Sequence, residues 1–142
     1  DKDVMIKDVI TGSAYASLED ATYLTYKNTV GILPVVYNDY LYGVITDRDI
    51  FAAFLQFSGY GTEGVRARFI VDNKAGELEK IIRLVSDKEY NIVSTVQIAT
   101  KSGKVVIEVQ IEGKVDLEEV RSLFEDAGIE VDSLVPTVAK NI

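Results

Sequence analysis

Residues 46–49, Thr-Asp-Arg-Asp, have the types and spacing to bind a phosphorylated sugar. They follow an apolar strand pattern and begin a helical one, at a point where first-turn amides lack main-chain partners and the helix dipole favours an anion. Thr46 and Arg48 offer a hydroxyl and a guanidinium to a phosphate, and the Asp49 carboxylate accepts from both hydroxyls of a ribose. A nucleotide fits this pattern. The alternative is structural: Thr46 or Asp47 caps the helix, and Asp49 is a favourable first-turn acid.

A second turn with the potential to bind a ligand covers residues 72–78 and contains Asn73 and Gly76. Glycine lets another main chain or a small ligand approach the helix start closely. Asn73 offers both a donor and an acceptor there, and free helix amides favour a carboxylate. The alternative is again structural, with Asn73 capping the helix and Gly76 easing its packing.

The composition weighs against catalysis. The 142 residues contain no histidine and no cysteine, so the chain lacks an imidazole base, a thiolate nucleophile and the two commonest zinc ligands. We therefore expect no enzyme and no metal site. A net charge of −8 disfavours nucleic acid as a partner. No apolar run approaches the roughly 20 residues of a membrane-spanning helix, so no membrane partner is expected, and the predicted location is cytoplasmic.

Glycines divide the chain into two modules. Residues 58–64 hold three of the ten glycines and are predicted to be a linker, because glycine disfavours both helix and strand. About fifty residues before it are few for an independent core, so the first module needs a companion. The first module, residues 1–57, has the pattern β-α-β-β-α, with a short strand at Val9-Ile10-Thr11, a helix capped by Ser17, two strands joined by Asn38-Asp39, and a helix over residues 47–57.

The second module, residues 65–142, alternates more clearly. Residues 65–71 and 105–111 show the period-2 pattern of half-buried strands, and apolar residues at helical spacing follow each of them. Asp116 with Glu119 resembles a capping box, and a last strand is predicted over residues 129–135. The order β-α-β-β-α-β is ferredoxin-like, an α+β arrangement. Because both helices cover one face of the sheet, the opposite face is expected to be partly apolar and open to a partner.

Residues 3–56 resemble a cystathionine-β-synthase (CBS) motif. The matching segments are Val4-Met5 to Thr11, Ser17 to Ala21, Gly31 to Val36, and Gly43 to Ile50. The last segment fits the family's adenosine-binding pattern Gly-h-x-Thr/Ser-x-x-Asp/Asn, where h is apolar. The resemblance implies that Thr46 contacts phosphate, that Asp49 contacts ribose, and that a base pocket is lined by the main chain of Ile10, Thr11, Ile32, Leu33, Pro34 and Val35. CBS motifs work in pairs, so we expect a further motif before Asp1 or one motif from each of two chains.

Residues 65–137 resemble an ACT domain, the small regulatory module of aspartate kinases and other enzymes of amino-acid metabolism. The element order agrees, as does the turn Asp-Asn-Lys-Ala-Gly-x-Leu, in which Ala75 stands where the family commonly has proline. The resemblance implies that an amino acid binds between this turn and a neighbouring domain, often from another subunit. The implied residues are Asn73, Ala75, Gly76 and Leu78, with Asn91 and Ile92 closing the pocket.

The order of the two modules is similar to that of acetoin-utilisation-type proteins, which carry two CBS motifs followed by one ACT domain. We therefore expect a non-catalytic regulatory homodimer that requires no cofactor. Its CBS motif senses AMP, ADP, ATP or S-adenosylmethionine, and its ACT domain senses a small metabolite such as an amino acid. The alternative is a structural dimerisation module with degenerate sites, which rests on the small cores and the open sheet face.

Overall fold

The structure, a computed structural model, describes residues 5–7 and 14–142. The chain divides into two compact units, with the boundary between Leu55 and Gln56. Strands and helices follow one another in the order β-α-β-β-α and then β-α-β-β-α-β, which confirms the predicted α+β class. The predicted strand at Val9-Ile10-Thr11 lies outside the described residues.

The first unit is built on a three-stranded sheet. Its central strand runs parallel to one neighbour and antiparallel to the other. The elements are β1 (Ile6–Lys7), α1 (Ala14–Asn28), β2 (Ile32–Tyr37), β3 (Tyr40–Thr46) and α2 (Asp47–Phe57), in sheet order β1-β2-β3. The predicted N-cap at Ser17 is wrong. Helix α1 begins earlier, at Ala14, because the alanines at positions 14 and 16 favour helix strongly.

The core of the first unit is small. Ala21, Leu33 and Ile50 bring α1, β2 and α2 together, and a few half-buried apolar side chains surround them. Many large apolar side chains remain on the surface instead, namely Tyr23, Tyr26, Tyr40, Leu41, Tyr42, Val44, Phe51 and Phe54. So much exposed apolar surface is typical of a module that associates with a partner.

The second unit is a four-stranded antiparallel sheet covered on one face by two helices. The elements are β4 (Gly64–Asp72), α3 (Glu77–Asp87), β5 (Asn91–Ala99), β6 (Lys104–Glu112), α4 (Leu117–Glu125) and β7 (Ser133–Thr137), in sheet order β5-β6-β4-β7. Asp116 caps α4 by accepting from the amides of Glu118 and Glu119 at 2.8 and 3.2 Å, as predicted. The rings of Phe69 and Phe124 meet edge to face in the core at 4.7 Å.

The face of this sheet opposite the helices, hereafter the outer face, is only partly open. The chain immediately before β4 lies over it, and a Cβ added at Gly59 would come within 3.0 Å of the Ser94 Cβ. Gln110 is thereby buried to 1% exposure, although it is polar and lies on the outer face. Farther along the same face, Ile70 and Ile98 remain 47% and 60% exposed. The predicted open apolar face is therefore limited to that end of the sheet.

Candidate functional site

The nucleotide-binding candidates of the first unit meet at one end of its sheet. In the pairing of β2 with β3, Ile32 lies opposite Thr46. The amide of Asp47 donates to the carbonyl of Gly31 at 3.0 Å, which holds the start of α2 against the start of β2. The main chain of β2 and the polar residues 46–49 are therefore neighbours, as a nucleotide pocket requires.

Burial along β2 decides which groups can face a ligand. Leu33 is fully buried and Val35 is 7% exposed, counting main chain and side chain together, so the main-chain contacts that the CBS resemblance implies for them are covered in this structure. Ile32 has an exposed side chain and Pro34 a half-buried one. The other two predicted residues of the base pocket, Ile10 and Thr11, lie outside the described residues.

Thr46 and Asp49 form a capping box at the start of α2. The amide of Asp49 donates to the Thr46 Oγ1 at 3.1 Å, and the amide of Thr46 donates to the Asp49 Oδ2 at 2.8 Å. The amide of Arg48 donates to the Asp47 Oδ1 at 2.7 Å. The first three amides of α2 thus have partners, which confirms the capping interpretation and corrects the expectation of unpaired amides. A phosphate at this position would have to bind through side chains.

The capping box also fixes the charge state of Asp49. The pKa of its carboxyl is held below its ordinary value, first by the Thr46 amide and then by the Thr46 hydroxyl, and the Arg48 charge adds to the effect. The carboxylate is exposed and ionised at neutral pH. Because a carboxylate has about four lone-pair sites, Asp49 can hold Thr46 and still accept from the two hydroxyls of a ribose. Arg48 is exposed on the same turn and supplies positive charge for a phosphate.

The start of α3 in the second unit differs from that of α2. Its N-cap is Gly76, with φ of 92° in the left-handed region, and no side chain caps this helix. The predicted alternative, a cap by Asn73, is therefore wrong, since Asn73 lies in the preceding turn and donates its amide to the Gly103 carbonyl at 3.1 Å. A Cβ on Gly76 would meet nothing within 4 Å, so glycine is required by its φ and not by packing. The first-turn amides of α3 are thus left without a side-chain acceptor.

The predicted ACT residues divide into two groups at opposite ends of the sheet. The turn with Asn73, Ala75 and Gly76 is exposed and follows Asp72, which pairs with Lys104 at the start of β6. Asn91 pairs with Glu112 at the other end of β6.

Strand β6, Lys104–Glu112, separates these ends by roughly 27 Å at about 3.4 Å per residue. Asn91 and Ile92 therefore cannot close a pocket with the turn of their own chain, and a shared pocket needs them from another subunit. Two of the predicted residues also have structural roles: the half-buried side chains of Leu78 and Ile92 pack against the core. The Asn91 Nδ2 donates to the Glu112 Oε2 at 2.6 Å.

A groove of about 550 Å³ in the second unit was not predicted from the sequence. Its walls come from the end of β4, one side of α3 and the turn between α4 and β7, so no local pattern marks it. Lys104 pairs with Asp72 at 2.6 Å, and Lys80 pairs with Glu77 at 3.2 Å. The first pair raises the pKa of Lys104 and lowers that of Asp72. Because these charges are paired with each other, they give the groove little preference for a charged ligand.

In the first unit, the Thr46 hydroxyl and the Asp49 carboxylate lie at the start of α2, next to the start of β2. The described residues hold no cluster of acidic side chains able to bind a metal ion. Comparison with protein-family models finds a CBS domain at residues 2–56. CBS domains are generally regulatory ligand-binding modules, which commonly bind adenine nucleotides and often dimerise.

This match confirms the CBS part of the sequence interpretation. The match ends at residue 56, so the ACT interpretation of residues 65–137 and the relation to acetoin utilisation stay predictions. In the described part of the chain, no helix is both long and apolar enough to cross a membrane.

Proposed function

We propose that this chain is a non-catalytic regulatory protein whose CBS domain senses an adenine nucleotide. Asp49 holds the ribose, Thr46 and Arg48 hold the phosphate, and the main chain of residues 32–35 borders the base. The observation that carries the proposal is the Thr46–Asp49 capping box next to Ile32 in the β2–β3 register. Its reciprocal bonds fix two ligand-contacting side chains in advance, so nucleotide binding does not have to order them.

The charges around this site favour a nucleotide with one phosphate. One guanidinium, that of Arg48, and one hydroxyl match a single phosphate group, whereas Asp47 and Asp49 beside them repel further negative charge. AMP is therefore the first ligand to test, ahead of ADP and ATP. S-adenosylmethionine carries no phosphate and would offer Arg48 only the carboxylate of its methionine part.

The affinity for AMP tests this proposal directly. In isothermal titration calorimetry, Asp49→Asn is expected to weaken AMP binding about tenfold or more, because the site loses its charged acceptor for the ribose hydroxyls. Asp47→Asn is the matched control: it removes the same charge from the neighbouring first-turn acid, which contacts the Arg48 amide, and is expected to change the affinity much less.

Two results would contradict the assignment. One is the absence of heat with AMP, ADP, ATP and S-adenosylmethionine in a folded, wild-type sample. The other is an equal loss of affinity in both Asn variants, which would show that net charge near the helix matters and that Asp49 has no specific contact. Circular dichroism of each variant verifies that the helix content is unchanged.

The second part of the proposal is that residues 65–142 form an ACT domain that senses a small metabolite such as an amino acid. The start of α3 supports it, because Gly76 leaves the first-turn amides without a side-chain acceptor, and such amides attract a carboxylate. Since Asn91 and Ile92 lie at the far end of the sheet, the complete pocket needs a second copy of the chain. The proposed protein is therefore a homodimer, and its gene context in acetoin utilisation is part of the same proposal.

Thermal unfolding in the presence of amino acids tests the metabolite site. A ligand that binds only the native state raises the melting temperature, and we expect at least one of the twenty amino acids to do so. Asn73→Ala is expected to abolish that rise, whereas Ser102→Ala, an exposed change in the β5–β6 turn, preserves it. If no amino acid changes the melting temperature, this module has some other ligand class or none.

One observation favours a second candidate, the structural dimerisation module. The first unit exposes a large apolar surface on β3 and α2, including Tyr42, Phe51 and Phe54, and the amides at the start of α2 already have partners. If the protein is dimeric by light scattering and no nucleotide or amino acid changes its melting temperature, the dimerisation module is the correct function.

A further inference from the structure

Strand β4 of the second unit is longer than its partner on one of its two sides. It pairs with β6 along its whole length, Gly64–Asp72. With β7 it pairs only as far as Arg68, which lies opposite Ser133. In the part of the chain that the structure describes, residues 69–72 therefore have no neighbouring strand on the β7 side, and this stretch is hereafter the open edge.

The direction of the main-chain groups of β4 follows from two hydrogen bonds. In an antiparallel sheet, successive residues of a central strand turn their N–H and C=O groups to opposite neighbours. The Asn73 amide donates to the Gly103 carbonyl at 3.1 Å, across to the chain that leads into β6. The Asp132 amide donates to the Arg68 carbonyl at 2.8 Å, from the β7 side. Odd-numbered residues of β4 therefore bond to β6, and even-numbered residues face β7 or the open edge.

Two residues of the open edge present free main-chain groups. Ile70 is even-numbered, so its N–H and C=O both face the open edge, and neither is bonded to any residue that the structure describes. Asp72 presents only its N–H, because its carbonyl accepts from the Lys74 amide at 2.9 Å. Ile70 is also 47% exposed. The open edge thus offers a donor, an acceptor and a second donor in a fixed row.

The open edge exists because the chain before β7 leaves the sheet. The half-buried side chains of Ile129 and Val131 pack against the core from a loop, and β7 begins only at Ser133. The groove of about 550 Å³ lies beside this loop, with its floor at the end of β4 and its walls from α3 and residues 127–130. The groove therefore occupies the place where a longer β7 would lie.

An extended peptide running in the direction of β7 fits these groups. Its residue opposite Ile70 would exchange two hydrogen bonds with that residue, and the residue two positions earlier would accept from the Asp72 N–H. The residue between them lies opposite Val71, and opposite residues of a pair have their side chains on the same face. Since Val71 packs on the helix side, this middle side chain enters the groove, where Leu84 and Ile129 are half-buried apolar walls.

The charges around the groove favour a neutral ligand such as peptide main chain. Asp72 pairs with Lys104 at 2.6 Å and Glu77 with Lys80 at 3.2 Å, so neither sign of charge is in excess at these positions. A peptide is neutral along its main chain and carries N–H and C=O groups in the alternation that the open edge requires. Strand addition also continues the existing β4–β7 pairing, which already covers the rest of the same strand.

We infer that the open edge binds an extended peptide segment of another protein, with an apolar residue at its centre, by strand addition beside β4. Three main-chain hydrogen bonds position the segment, and the groove selects the apolar side chain. For a regulatory protein, such a segment is the means of contacting its target. The inference concerns the second unit alone and holds whether or not a nucleotide or an amino acid binds elsewhere.

Amide NMR spectroscopy of the ¹⁵N-labelled full chain tests this site, with acetyl-Thr-Leu-Thr-amide as the probe. The blocked ends carry no charge, and the Leu is the middle residue of the segment. At millimolar concentration the probe is expected to shift the amides of Ile70 and Asp72, which gain acceptors, and those of Leu84 and Ile129, which lie beside the Leu side chain. The concentration dependence of these shifts gives the dissociation constant.

Two methylated probes separate strand addition from other modes of binding. A methyl group on the nitrogen of the last Thr removes the donor to the Ile70 carbonyl and is expected to weaken binding about tenfold or more. The same methyl group on the Leu nitrogen, which points away from β4, is expected to change the affinity much less. The two probes have the same composition, so only the position of the methyl group differs.

Variants at Ile70 give the matching test on the protein. Ile70→Pro removes the free N–H, and because that N–H makes no bond to β6, proline is tolerated there as it is on an edge strand. This variant is expected to fold and to lose the probe, whereas Ile70→Ala keeps the N–H and retains binding. In the free wild type, hydrogen exchange is expected to be faster at the Ile70 amide than at the Val71 amide, which bonds to β6.

Three results would overturn the inference. They are the absence of shifts at Ile70 and Asp72 at millimolar probe, equal affinities for the two methylated probes, and slow exchange of the Ile70 amide in the free protein, which would show that the edge is closed. Equal loss of the probe in Ile70→Ala and Ile70→Pro would also overturn it, because the side chain and not the main chain would then hold the probe. If Ile70→Pro does not fold, the two methylated probes decide.

Discussion

Gly64→Ala is expected to lower the free energy of unfolding by about 3 kcal/mol or more, through main-chain overlap that cannot relax. A Cβ at this position would lie 1.8 Å from the carbonyl oxygen of Ile111 and 2.9 Å from its carbonyl carbon. Gly64 is paired with Glu112 on one side and with Thr137 on the other, so β4 cannot move away from β6 without also displacing β7. The two flanking strands therefore leave no room for even one methyl group.

Urea unfolding followed by far-UV circular dichroism measures this effect. Gly103→Ala is the matched control, since Gly103 has φ of 78° and its Cβ would meet nothing within 4 Å. Gly103→Ala is expected to lower the free energy of unfolding by only about 1 kcal/mol, the strain of placing alanine in the left-handed region. Equal midpoints for the two variants would show that strain alone acts at Gly64 and that the strands separate to accept a methyl group.

Phe124→Ala is expected to lower the free energy of unfolding by about 3 to 5 kcal/mol, the usual range for deleting a buried aromatic side chain. Phe124 is fully buried, and its ring meets that of Phe69 at an angle of 66°. This contact joins α4 to β4, so its loss removes an aromatic pair as well as leaving a cavity.

The comparison for this substitution is Phe54→Ala, which deletes the same atoms from a side chain that is 66% exposed. That variant is expected to stay within about 0.5 kcal/mol of the wild type. Chemical unfolding of both variants gives the difference. A loss at Phe124 no larger than that at Phe54 would mean that the helices and sheet of the second unit are not packed as described.

The strands of the second module were predictable because each buries one face. Residues 105–111 alternate without interruption, and β6 is observed from Lys104 to Glu112. The last strand was placed too early, at residues 129–135, because Ile129 and Val131 have the apolar pattern of a strand. In the structure these two side chains pack against the core from a loop, and β7 begins only at Ser133.

In the candidate sites, too, contacts between residues close in sequence were easier to predict than contacts between distant residues. The Thr46–Asp49 capping box lies within four consecutive residues, so the sequence could offer Thr46 as a cap and Asp49 as a first-turn acid, although it did not predict the bond from the Thr46 amide to Asp49. By contrast, the hydrogen bond from the Ser94 Oγ to the Phe57 carbonyl joins residues that are 37 positions apart, and no pattern in either segment indicates the other. The glycines of residues 58–64 predict a linker, and at Gly59 and Gly61 they permit positive φ values that let this segment follow the sheet of the second unit.

The wide separation of Asn73 from Asn91 has a consequence for how a metabolite would be sensed. If the pocket takes its two walls from two chains, an isolated chain has no complete site, and each symmetric pair of chains has two. Metabolite and subunit association would then strengthen each other. The amount of protein in the cell would set the sensor's threshold together with the amount of metabolite.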